Sequence, residues 1–100
     1  MIIEVKDPAI EQLKQLALKD HEGIRILTDE EVGCALYVDF ALVIDKKQDT
    51  DVVINSGGVD FLLSEQARKN LPEKLYLTHT GSGYKLYSAE EILQTDIQIK

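Results

Sequence analysis

One cysteine, Cys34, stands in the stretch EEVGCALYVDF (30–40), and a thiol is both the strongest nucleophile and the softest metal ligand a protein offers. Three uses are open to it: filler between strands, attacking group, or metal ligand. On residue type alone, a single cysteine is most often a small buried apolar side chain. Gly33 before it permits unusual backbone angles and the close approach of another group. The acids Asp29, Glu30 and Glu31 just upstream favour the protonated thiol by like-charge repulsion, which works against an activated nucleophile. Ligation suffers less, because a metal brings its own positive charge.

The remaining chemistry-bearing residues are sparse. His79 lies between two threonines at the end of KLYLTHT. A lone strand-end histidine is ordinarily a surface residue; metal ligation or proton transfer is the functional alternative. His21, in KDHEG, reads as a surface histidine near a helix end. Asp39 interrupts an apolar run and suits the solvent side of a strand. No two carboxylates form a convincing catalytic pair, and the 29–31 charge run reads as a solvated loop. The GSG at 81–83 and SGG at 56–58 lack the lysine and spacing of a phosphate loop, so both read as hairpin turns.

The elements that must position these groups fit in one domain spanning 1–100. A chain this short buries roughly 60–65% of its unfolded surface. Eighteen acids against 11 bases give a net charge of −7, which argues against binding nucleic acid or an anionic membrane without specificity. One cysteine cannot form an intramolecular disulfide, and MIIEVKDPAIEQL does not read as a signal peptide. No stretch approaches the ~20 apolar residues that cross a bilayer. The expectation is a soluble cytoplasmic protein.

Along the chain, IIEV (2–5), IRIL (24–27), ALYVDFALVI (35–44), DVVIN (51–55), VDFLL (59–63), KLYLTHT (74–80) and YKLY (84–87) read as strands. Asp7-Pro8 announces a helix over about 8–20, with Asp7 as its cap and Ile10, Leu13, Leu16 and Ala17 as its buried stripe. Ser64 caps a second helix, SEQARKNL, which Pro72 interrupts. Ser88 and Glu91 have capping-box spacing and predict a terminal helix over Ser88–Gln94. The strand around Leu36–Ile44 is expected at the centre. The fold class is α+β, mostly short mixed strands in a sandwich-like core with one N-terminal amphipathic helix.

The succession IIEVKDPAIEQLKQL, GIRIL, Gly33-Cys34, ALYVDF, GVDFLLSEQARKNL and LYLTHTGSGYKLYS resembles the HesB-like family, the A-type carriers of iron–sulfur clusters, over almost the whole length. In that family the Gly-Cys pair contributes the first thiolate, and a Gly-aromatic pair, here Gly83-Tyr84, opens a core strand. The chain departs from the carriers in two places. Ala35 and Leu36 stand where a serine and glycine are usual. ILQTDIQIK replaces the terminal Cys-Gly-Cys, with Thr95 and Ile97 near the thiolate positions. The ending resembles shorter HesB-like proteins of Gram-positive bacteria.

A cluster usually takes four thiolates, and this chain offers one. The resemblance therefore implies iron or an iron–sulfur cluster bound weakly through Cys34 across a homodimer. His79, an acid such as Asp29, or an external thiol would complete the ligand set. The implied partners are iron–sulfur assembly or client proteins, and no enzymatic activity is expected. Two other readings stand beside it: a metal-free interaction module on the same fold, and a small thiol enzyme pairing Cys34 with His79.

Overall fold

The computed structural model describes residues 1–28 and 40–99. Within them run β1 (Ile2–Val5), α1 (Asp7–Leu13), β2 (Glu22–Thr28), β3 (Phe40–Lys46), β4 (Val52–Ser56), β5 (Val59–Leu63), α2 (Glu65–Asn70), β6 (Lys74–Thr80), β7 (Gly83–Tyr87) and β8 (Ile92–Ile97). The strands form two mixed four-stranded sheets, ordered β1-β6-β7-β8 and β3-β2-β5-β4. One pair in each is parallel, β1 with β6 and β2 with β5. The α+β reading holds, weighted toward strands.

The two sheets bury their inner faces against each other. Ile24 and Ile26 of β2, Phe61 and Leu63 of β5, Leu75 and Leu77 of β6, and Leu86 of β7 are all at most 1% exposed. Each such side chain contributes on the order of 1.5–3 kcal/mol by leaving water. Ala9 and Leu13, spaced i,i+4 on one side of α1, join the same core. Ser64 caps α2 as its type dictates, its hydroxyl accepting the Ala67 N–H at 3.0 Å.

Each sheet edge approaches the other sheet's edge. β1 lies beside β4, where Ser56 Oγ donates to the Ile3 carbonyl at 2.7 Å. Gly57 closes this seam: at φ +62° it is in the left-handed region, and a Cβ there would sit 2.9 Å from the Val5 Cβ. On the opposite side, Leu42 of β3 pairs in parallel with Ile99 beyond β8.

Three expectations are corrected. The strand around Leu36–Ile44 is not central in its described part: β3 is the outer strand of its sheet, and β2, buried on both faces, takes the middle. A nearly continuous apolar run looks like a central strand, yet here part of its apolar surface faces β8 rather than a neighbour within its own sheet. The first helix is shorter than 8–20. Lys14 bonds back to Ile10, but Gln15 and Leu16 make i→i−3 bonds, and the chain leaves the helix while Leu16 and Leu18 still pack on the core. Its cap is Lys6, through the main chain alone; Asp7 falls in the first turn.

The third correction is the C-terminus. Ser88–Gln94 is not a helix: Ser88–Glu91 form a turn, and Ile92–Ile97 is β8. Ser88 still performs the expected capping chemistry, its hydroxyl accepting the Glu90 and Glu91 N–H groups at 3.3 and 3.2 Å. The turn does not propagate because Leu93, Thr95, Ile97 and Ile99 alternate with polar residues, a period of two that fits a strand.

Candidate functional site

Cys34, the candidate thiolate, and the acids Asp29 and Asp39 lie outside the described residues. Around them, the flanking strands and the C-terminal segment can be placed. β2 ends at Thr28 and β3 resumes at Phe40, and these two ends are directly paired.

β3 faces the C-terminal segment across a groove of about 250 Å³. Phe40, Leu42 and Val43 line one wall; Thr95, Asp96 and Ile97 line the other. Thr95 and Ile97, the residues near the carriers' thiolate positions, thus line a groove beside the strand that follows Cys34. A hydroxyl and a butyl group stand there instead of two thiols. Ile97 is 6% exposed and belongs to the core, so at that position the segment closes the sandwich. Asp96 between them has φ 56°, a left-handed conformation that aspartate tolerates better than most side chains.

Gly83 fixes how the segment sits. It opens β7 at φ +146°, and a Cβ there would lie 2.7 Å from Gln98 Nε2 and 2.8 Å from the Ile97 carbonyl. Only hydrogen fits so close an approach, which explains the glycine of the Gly-aromatic pair. Gln98 Nε2 then donates to the Ser82 carbonyl at 2.8 Å, and Ile99 pairs with Leu42. Residues 94–99 are thus held at one end by these contacts and at the other by the pairing of Gln94 with Leu86.

His79 is half-buried near the end of β6, directly opposite Tyr84, which in turn pairs with Ile97. Its ring meets that of Tyr84 edge-on, centroids 4.8 Å apart at 85°. The cross-strand row His79–Tyr84–Ile97 puts a phenol, not a second ligand, beside the imidazole. Burial raises the Tyr84 phenol above its usual range, which keeps it protonated. Among the described residues no three His, Cys, Asp or Glu side chains gather so as to hold a metal ion. The described residues therefore do not form a cluster cage, and His79 joins no ligand set within them.

The groove escaped sequence reasoning. Its signal was present in the alternation of Leu93, Thr95, Ile97 and Ile99, which reports a strand and so a partner for β3. No helix among the described residues is long and apolar enough to cross a membrane.

Comparison with known proteins bears on the whole chain. No curated protein matches. Two solved structures share the fold: a candidate Fe-S biosynthesis protein from Lactobacillus acidophilus (TM-score 0.76, 22% identity, covering 99% of this chain and 88% of that one) and another from Lactobacillus salivarius (0.75, 18%, 100% and 97%). The sequence model of the family described as iron-sulphur cluster biosynthesis matches residues 1–100. A chain whose full length fits that pattern and whose two sheets superpose on such proteins belongs to the iron-sulphur cluster biosynthesis family.

Proposed function

We propose that this protein is a non-catalytic accessory of iron–sulfur cluster biogenesis in which Cys34 lends one thiolate per chain to iron or a cluster carried as cargo. The observation that supports this is the thiolate count within the family: one cysteine in 100 residues, with Thr95 and Ile97 in the terminal segment. One ligand per chain cannot enclose a cluster that prefers four. The cargo is then shared, between two copies related by a two-fold axis or with an external thiol, and is held weakly. Weak holding suits transfer to assembly or client proteins in the reducing cytoplasm.

A specific observation favours a second reading, a metal-free interaction module: Ile97 is packed in the core, where a ligand would have to face the cargo. Anaerobic reconstitution with ferrous iron and sulfide separates the two. The expected result is visible absorbance and a native mass of two chains with retained iron and sulfide. Cys34→Ser abolishes both and leaves thermal stability nearly unchanged. Wild-type protein that takes up no iron overturns the cargo reading in favour of the module. A Cys34→Ser loss of about 1 kcal/mol or more, with no iron to lose, identifies a buried structural cysteine.

A further inference from the structure

The outer face of the β1-β6-β7-β8 sheet carries an organised set of side chains that neither the core nor the groove uses. The strand registers align Glu4, Tyr76, Tyr87 and Ile92 in one row across all four strands. Tyr76 and Tyr87 stack with centroids 5.1 Å apart and planes 17° from parallel. Lys6 and Lys74 lie over the Tyr76 ring at 5.0 and 5.1 Å, and Lys85 over the Tyr87 ring at 5.2 Å. Ile92 at one end of the row is 58% exposed, and Ile2, opposite Lys74, is 59% exposed.

This is an apolar, aromatic centre with a cationic rim, on a protein whose net charge is −7. Tyrosines are rigid anchors that bury much area at little entropic cost, which is why they concentrate where partners dock. Of the three lysines, Lys6 is ion-paired with Glu4 and Lys74 approaches the same carboxylate at 3.8 Å. Lys85 has its contact with Tyr87 and no carboxylate partner among the described residues. Around the tyrosine rings three ammonium groups meet one carboxylate, while Glu73, Glu90 and Glu91 stand in the adjoining turns. At physiological ionic strength charges are screened beyond ~8 Å, so a segment lying on the two rings responds first to the lysines over them.

We propose that this face docks an acidic segment of a partner protein, with an apolar side chain on the Tyr76–Tyr87 pair and carboxylates at Lys6, Lys74 and Lys85. Charge complementarity selects the occupant. A short acidic segment matches a patch that ends at the edges of one sheet, whereas a nucleic acid continues its charge beyond it onto a surface that repels it. No residue of this surface is a candidate ligand for the cargo.

The test is fluorescence anisotropy of the full chain with a fluorescein-labelled peptide of alternating glutamate and leucine. Its glutamine counterpart and a single-stranded oligodeoxynucleotide of equal length serve as comparison probes. The acidic peptide should bind with an affinity that falls as salt rises. Lys85→Glu and Tyr87→Ala should each weaken it at least tenfold, Lys85→Gln less, and Lys69→Glu on α2 not at all. Circular dichroism melts confirm that the variants are folded. Absence of binding at low salt, equal weakening by Lys69→Glu, or equal binding of the glutamine peptide overturns the proposal. So does preference for the oligonucleotide, or sedimentation showing that Tyr87→Ala converts a dimer to a monomer, which would make a second copy the occupant.

Discussion

Each sheet carries a charged cluster outside the shared core, and the two are built in opposite ways. On the β3-β2-β5-β4 sheet, Arg25 is buried and every nitrogen of its guanidinium donates. Its Nη1 and Nη2 donate to both oxygens of Asp51 at 2.8 and 2.7 Å, its Nε donates to Asp45 at 2.7 Å, and Nη2 also reaches the Lys46 carbonyl. The Asp51 side chain is itself 3% exposed and accepts the Gln48 N–H, so the ions tie β2 to the end of β3 and to the turn before β4. On the other sheet, Lys6, Lys74 and Lys85 rest on tyrosine rings at the surface, with a single glutamate among them. A buried guanidinium needs every donor matched, because an unpaired one there costs more than the pair ever contributes. Surface ammonium groups face no such demand and can be left for another molecule. The difference separates charge committed to the fold from charge kept available.

The sharpest way to break this contrast is Arg25→Ala. It strands Asp51 without its partner in a dry site, and urea titration should show a loss of about 3 kcal/mol or more. In a chain of this size that lowers Tm on the order of 10 °C or more. Next comes Asp51→Asn, which should cost about 2 kcal/mol, while Asp45→Asn costs less than about 1, because the Asp45 side chain is 44% exposed and water replaces the lost contact.

Acid should reproduce part of this loss in the wild type. Hydrogen bonds from Arg25 hold both carboxyls below the usual aspartate range. The folded value is lower than the unfolded one, so the stabilisation is complete above the ordinary aspartate value of about 3.9 and drains away as pH falls through the folded value. Thermal melts at pH 6 and pH 3 should therefore differ in the wild type, and differ less in Asp51→Asn. The smallest effect belongs to the other cluster. Lys85→Gln should alter stability by no more than about 0.5 kcal/mol in the same titration. A larger loss would mean that the lysine–tyrosine face is also committed to the fold.

What could be read in the sequence was local. β-branched and aromatic runs gave the strands, the Ser-Gly and Gly-Gly turns gave the hairpins, and Ser64 gave its cap, because each of these is decided within a few residues. The error at Ser88 was also local. A true capping interaction was read as the start of a helix, while the alternation that follows it was decided by β7 and β3. Strand order was beyond reach for the same reason that Arg25 was unremarked in IRIL. Its partners lie 20 and 26 residues away, and nothing near it signals them. Of the candidate site, His79 was legible as a strand-end histidine, but its apposition to Tyr84 depends on the β6–β7 register. Cys34 and Asp29 lie outside the described residues, so the thiolate's role rests on the reconstitution experiment.

The seams between the sheets also govern how this chain behaves in a crowded solution. A sandwich of two open sheets exposes four strand edges, each a template on which another chain can grow an intermolecular ladder. Here the edges are turned toward each other: the Ser56 hydroxyl occupies an Ile3 carbonyl on one side, and Ile99 pairs against Leu42 on the other. These contacts obstruct runaway strand addition, a kinetic protection against aggregation that equilibrium unfolding does not measure. They also restrict the manner of association. A partner is steered away from extending a sheet and toward covering one of its faces.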